Sequence, residues 1–105
     1  MVEKRRAHYD LVRVKALIHQ GAYRVTRVAL SCARRDFALT EPKQLAEVVL
    51  SLSSARLYKS MTTAADSRVW QDVYHGDVDG IDAYIKIQIL DENTVIISFK
   101  ALEHD

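Results

Sequence analysis

Residues 57–62, Leu-Tyr-Lys-Ser-Met-Thr, and residues 69–74, Val-Trp-Gln-Asp-Val-Tyr, decide how this chain is read. Both are short, rich in aromatic and β-branched residues, and alternate in polarity with a period of 2, as a strand with two unlike faces does. Residues 83–90 and 94–100 follow the same rule. Ala64-Ala65-Asp66-Ser67 supplies a turn between the first two strands, and Asp91-Glu92-Asn93 a tight connection between the last two. Between them, residues 75–82, with Gly76 and Gly80, read as a longer loop. Such short links leave no room for a parallel crossover, which needs about a dozen residues, so the four strands are expected to be antiparallel neighbours.

Toward the N-terminus the period changes to 3.6. Leu11, Val14, Leu17 and Ile18 recur at helical spacing within residues 8–20, and Gly21 is placed to end that helix. Residues 22–25 form an extended connector or an edge strand. Thr26 is a cap for a second helix with Ala29, Leu30, Ala33 and Phe37 along one face. Thr40 is expected to cap a third, with Pro42 in its first turn and Leu45, Val48, Val49 and Leu52 as its stripe. Three N-terminal helices followed by a meander predict an α+β fold, the helices packed on a twisted, mainly antiparallel sheet.

One hydrophobic core accounts for 105 residues, so residues 1–105 are read as a single domain. Hydrophobic residues make up 49% and charged residues 28%, with one Pro and three Gly, which excludes a disordered chain. No apolar run approaches the roughly 18 residues of a membrane span, and the charged opening Met-Val-Glu-Lys-Arg-Arg lacks the apolar stretch of a signal peptide. The lone Cys32 fits a reducing compartment, so a cytoplasmic location is expected. Net charge is +1, but unevenly spread. Residues 1–35 hold nine Lys/Arg against two acids, and residues 36–105 hold six against twelve. The basic third is a candidate surface for a polyanion.

No metal or cofactor is expected. His8, His19, His75 and His104 are scattered, without Cys-x-x-Cys, His-Glu-x-x-His or a Gly-rich phosphate loop. Cys32, beside Ala33 in a helical stretch, reads as a small core residue. The strands carry more information. By alternation Lys59 shares a face with Leu57 and Met61, and Gln71 with Val69 and Val73. An unpaired Lys or Gln on such a face costs several kcal/mol unless it reaches a partner, an edge or a site. Tyr84 and Lys86 share the polar face of the third strand, and Lys100 and Ser98 that of the fourth.

Tyr58-Lys59-Ser60-Met61-Thr62-Thr63, Trp70-Gln71-Asp72-Val73-Tyr74, Tyr84-Ile85-Lys86-Ile87 and Ile97-Ser98-Phe99-Lys100 resemble the motility quorum-sensing regulator toxins (MqsR). Glu3-Lys4-Arg5 with His8, and Arg24-x-Thr26-Arg27 with Ala29-Leu30, are similar to that family as well, so the likeness runs from about residue 3 to residue 101. It implies a fold akin to the RelE ribonucleases, and a toxin of a type II toxin–antitoxin system. The implied activity is ribosome-independent, metal-independent cleavage of mRNA at short GC-containing sequences, inhibited by a cognate MqsA-like antitoxin. The family's functional residues fall here on Lys59, Gln71, Tyr84 and Lys100.

Metal-free cleavage uses the 2′-hydroxyl of the RNA as nucleophile, with a base, an acid and a stabiliser of negative charge supplied by the protein. Lys59 and Lys100 suit the charge, Tyr84 the acid, and Gln71 the orientation of the 2′-hydroxyl or phosphate. A lysine serves as base only if a neighbouring cation depresses it, so Lys59 and Lys100 are expected to influence each other. His75 is the alternative base. Lys4, Arg5, Arg24, Arg27, Tyr58 and His75 are the candidate RNA-binding residues, with Lys4, Arg5, Arg24 and Arg27 as the phosphate contacts. Trp70 and Tyr74 read as core aromatics rather than base-stacking platforms. The residues alone leave open a non-catalytic nucleic-acid-binding regulator, or an interaction module that pairs a sheet edge with a partner chain.

Overall fold

In the computed structural model, which describes residues 1–102, the chain runs β1 (Glu3–Lys4), α1 (Leu11–His19), β2 (Tyr23–Val25), α2 (Arg27–Phe37), α3 (Pro42–Leu50), a 3-10 turn (Ser54–Arg56), β3 (Leu57–Thr62), β4 (Trp70–Val78), β5 (Ile81–Leu90) and β6 (Asn93–Ala101). His104 lies outside the described residues. The six strands form one sheet in the order β1-β3-β4-β5-β6-β2.

This order overturns the expectation of three N-terminal helices on a mainly antiparallel sheet. A strand comes first, a second separates α1 from α2, and the sheet is mixed, because β2 pairs with β6 in parallel. The fold is α+β only in broad outline. With two and three residues, β1 and β2 are too short to display an alternation, and each is recruited by a strand distant in sequence. The parallel pairing becomes possible because α2, α3 and three strands intervene between β2 and β6.

Local chemistry sets the helix ends. The Asp10 carboxylate accepts from the Val12 amide at 3.0 Å to start α1, and Gly21, at φ 79°, turns the chain out of it. The Thr26 hydroxyl accepts from the Ala29 amide at 3.1 Å and donates to the Ile97 carbonyl at 2.9 Å, capping α2 and tying it to β6. Glu41, rather than Thr40, caps α3, forming a reciprocal capping box with Gln44.

Residues 75–82 are not a loop. The β4 strand continues to Val78, and Asp79-Gly80 turns directly into β5 with φ of 51° and 84°. Asp91-Glu92 repeats the geometry between β5 and β6, with φ of 50° and 59°. Two residues with positive φ make a type I′ turn, whose twist matches that of the strands it joins.

All three helices cover one face of the sheet. Val14 and Ile18, Ala29 and Ala33, and Leu45 and Val49 pack there against Tyr74, Ile85, Ile87, Ile96 and Phe99. Each of the large apolar residues contributes about 1.5–3 kcal/mol on burial. Gly76 lies on the same face, and a Cβ added there would sit 2.7 Å from the Ile85 Cδ1. Among the described residues, no helix is long and apolar enough to cross a membrane.

Candidate active site

The face left bare by the helices carries Lys59 on β3, Gln71 and His75 on β4, Tyr84, Lys86 and Gln88 on β5, and Ser98 and Lys100 on β6. Pairing on β3–β6 aligns those residues in rows. Lys59 faces Val73, which faces Lys86, which faces Ser98. In the adjoining row His75 faces Tyr84, which faces Lys100. On the other side Met61 faces Gln71, whose amide donates to the Gln88 Oε1 at 2.8 Å. Lys59, Gln71, Tyr84 and Lys100 therefore lie on one side of the sheet.

Two bulges make this possible. Tyr58 is an extra residue opposite β4, and Ile97 an extra residue opposite β5. The first corrects a detail of the sequence reading. Strict alternation places Leu57 and Lys59 together, but the bulge sends Leu57 to the core and Lys59 to the open face.

The electrostatics depart from expectation as well. The Lys59 ammonium lies 2.6 Å from the Glu3 carboxylate of β1. That bond is the main reason the Lys59 pKa is raised and the Glu3 pKa lowered. A neighbouring cation was expected to depress Lys59, yet the depressed lysine is Lys86, first by burial and then by Lys100 and Lys59. Burial raises the Tyr84 phenol, only partly opposed by Lys59, so it stays a proton carrier at neutral pH. The Lys100 ammonium sits 5.3 Å from the centre of the Tyr84 ring.

Three of the six candidate RNA contacts, Arg5, Tyr58 and His75, gather on the open face at the β1–β3 side, while Lys4, paired with Ser60, lies on the helix side of the sheet. Tyr58, 44% exposed, stacks on His75 with ring centres 4.6 Å apart. The Arg5 guanidinium stands 5.4 Å from the Tyr58 ring centre and donates to the Tyr58 carbonyl at 3.2 Å. Lys4 lies 4.2 Å from the Trp70 ring centre, which also stacks with His8. Arg24 and Arg27 stand apart, on β2 at the other edge and in the first turn of α2.

Asp72 fastens the N-terminal arm. It is wholly buried, and its carboxylate accepts from the amides of His8, at 3.0 and 3.1 Å, and Tyr9, at 2.9 Å. A concavity of about 660 Å³ lies beside this arm and is lined by His8, Tyr9, Leu11, Leu52, Leu57 and Tyr74, among others. It contains none of the four predicted residues. A smaller recess of about 410 Å³, lined by Arg56, Tyr58, His75 and Asp82, adjoins the open face. Lys59, Gln71, Tyr84 and Lys100 thus line neither recess and lie on an open surface. Among the described residues, no group of three or more His, Cys, Asp or Glu is placed to hold a metal.

The sequence reading assigned no role to Glu3, Gln88 or Lys86. Gln88 and Lys86 were signalled by the alternation that marks Tyr84. Glu3 belongs to a family-like motif but carried no signal of its contact with Lys59, because its place depends on a two-residue pairing across the whole length of the helical region.

The bare face of this α+β sheet gathers lysines, glutamines and a tyrosine, side chains able to donate hydrogen bonds to an anion. Residues 6–101 match the family described as motility quorum-sensing regulator, toxin of MqsA, and the chain belongs to that family. It is 38% identical to the mRNA interferase toxin MqsR of Escherichia coli (strain K12) over 99 residues, which cover 94% of this chain and 98% of that protein.

Proposed function

We propose that this protein is the toxin of a type II toxin–antitoxin system: a metal-independent, ribosome-independent endoribonuclease that cuts mRNA at short GC-containing sequences. A cognate MqsA-like antitoxin holds it inactive. Family membership and the name of the Escherichia coli relative support the class. The observation that carries the chemistry is the presence of Lys59, Gln71, Tyr84 and Lys100 on the one face that no helix covers.

The RNA supplies its own nucleophile. The 2′-oxygen bonds to the adjacent phosphorus while the bond to the 5′-oxygen breaks, leaving a 2′,3′-cyclic phosphate and a 5′-hydroxyl. His75 accepts the 2′ proton, and Tyr84, its partner across the ladder, gives a proton to the departing oxygen. Lys59 and Lys100 offset the charge that builds on the phosphorane, and Gln71, held by Gln88, orients the 2′-hydroxyl. The exposed Tyr58 ring, backed by His75 and Arg5, offers a base beside the cut a surface to stack on.

Incubating purified protein with a defined single-stranded RNA, with and without EDTA, tests the reading. Cleavage that resists EDTA and leaves cyclic phosphate ends is expected. Binding without cleavage would replace the enzyme with a non-catalytic regulator.

A further inference from the structure

We infer that Lys86 is an additional catalytic residue of this face, the central cation that donates hydrogen bonds to a non-bridging oxygen of the scissile phosphate. The inference rests on the ribonuclease reading above.

Position is the first ground. Lys86 lies across β4 Val73 from Lys59, opposite β6 Ser98, and two residues along β5 from Tyr84 on one side and Gln88 on the other. Gln71 is joined to Gln88, and Lys100 is paired with Tyr84. The four candidate residues thus surround Lys86, and a phosphodiester in reach of all four passes over its ammonium.

Its lack of a partner is the second. Among the described residues, the Lys86 ammonium has no hydrogen-bond acceptor and no ion pair. The titratable groups facing it are Lys59 from β3, His75 from β4, Tyr84 from its own strand and Lys100 from β6. The carboxylate nearest the site, Glu3, is committed to Lys59. A half-buried ammonium flanked by cations and lacking a counter-ion works against folding. A bound phosphate reverses that, supplying the anion that Lys86 lacks. The depressed pKa of Lys86 has the same origin, in burial and then in Lys100 and Lys59.

The test compares Lys86→Met and Lys86→Arg with the unmodified protein on a defined RNA, measuring kcat, KM and thermal midpoint. Methionine keeps the length of the stem and removes the charge. Losing one preorganised donor to the developing charge costs about 10²–10³-fold in kcat. That fall is expected for Lys86→Met, with KM changed less than about threefold and a thermal midpoint no lower than that of the unmodified protein. Lys86→Arg, which keeps a cation, is expected to retain more activity than Lys86→Met. If the unmodified protein cleaves and Lys86→Met matches it within about twofold, the role of Lys86 falls while the ribonuclease reading stands. If the unmodified protein does not cleave, the ribonuclease reading itself falls. An equal loss in both variants, accompanied by a lower thermal midpoint, would make Lys86 a structural residue and overturn the inference.

Discussion

The Glu3 carboxylate and the Lys59 ammonium lie 2.6 Å apart, joining the first strand of the chain to a lysine of the open face. The pair is partly exposed, at 43% and 19% of the two side chains, so its own contribution to stability is small. Its weight is in binding, because a phosphate that engages Lys59 must compete with Glu3. Replacing Glu3 by Gln is expected to tighten binding of a 2′-deoxy, uncleavable RNA by roughly fivefold at low salt, the equivalent of about 1 kcal/mol. Fluorescence anisotropy measures this, and unchanged affinity would show that the carboxylate does not compete.

Tyr84→Phe removes the proposed acid and leaves the ring. The expected loss is about 10²–10⁴-fold in kcat, with KM little changed. A substrate whose 5′-oxygen is replaced by sulfur departs without needing that proton. On it, the variant should approach the rate of the unmodified protein. Equal losses on both substrates would remove Tyr84 from proton transfer.

Asp72→Asn tests the anchor of the N-terminal arm. Two backbone amides donate to this buried carboxylate, that of His8 shared between both oxygens and that of Tyr9 to one. Hydrogen bonds to a charged acceptor contribute about 1.5–3 kcal/mol, so the variant should lose about 2–3 kcal/mol in denaturant titration. Faster amide exchange at His8 and Tyr9 is expected alongside. Slow exchange at both residues would show that the arm is held by other contacts.

Asp36 gives a pH dependence. Its pKa is lowered to about 2, by the Arg35 side chain first and then by the Ala101 amide, which donates to it at 2.9 Å. A carboxylate depressed on folding contributes stability that is present above its unfolded pKa of about 3.9 and is lost as pH falls through the folded value. Asp36→Asn should therefore cost roughly 1 kcal/mol at pH 7, and the difference should close between about pH 4 and pH 2. Thermal melts of both proteins across that range check it. A gap that persists at pH 2 would mean that something other than the charge is at work.

The sequence shows the long elements and hides the short ones, for physical reasons. Helices and strands of six residues or more carry a countable period, and β3 falls on residues 57–62 as the alternation predicts. The pairing of β1 and β2 is a tertiary event, invisible in two or three residues. Residues 75–82 looked like a loop because Gly76 was taken as punctuation, whereas it marks where the Ile85 side chain presses on the backbone. Of the face itself, the polar positions of Tyr84, Lys86 and Lys100 were legible from period 2 alone, and Gln71 stood out as a polar residue on an apolar face. Lys59 was placed beside Leu57 because a bulge leaves no mark in an alternating pattern. The hydrogen bond to Glu3 that reverses the expected shift of Lys59 was equally hidden.

The type I′ turns at Asp79-Gly80 and Asp91-Glu92 have a reach well beyond their own four residues. They hold β5 in step with its neighbours at both ends, and along β5 every second side chain belongs to the core while the others belong to the open face. Sliding that strand by a single position would drive Lys86 inward and turn Ile85 and Ile87 out to water. A copy that folds out of step therefore has no degraded version of the surface to offer: correct threading and a working surface stand or fall together.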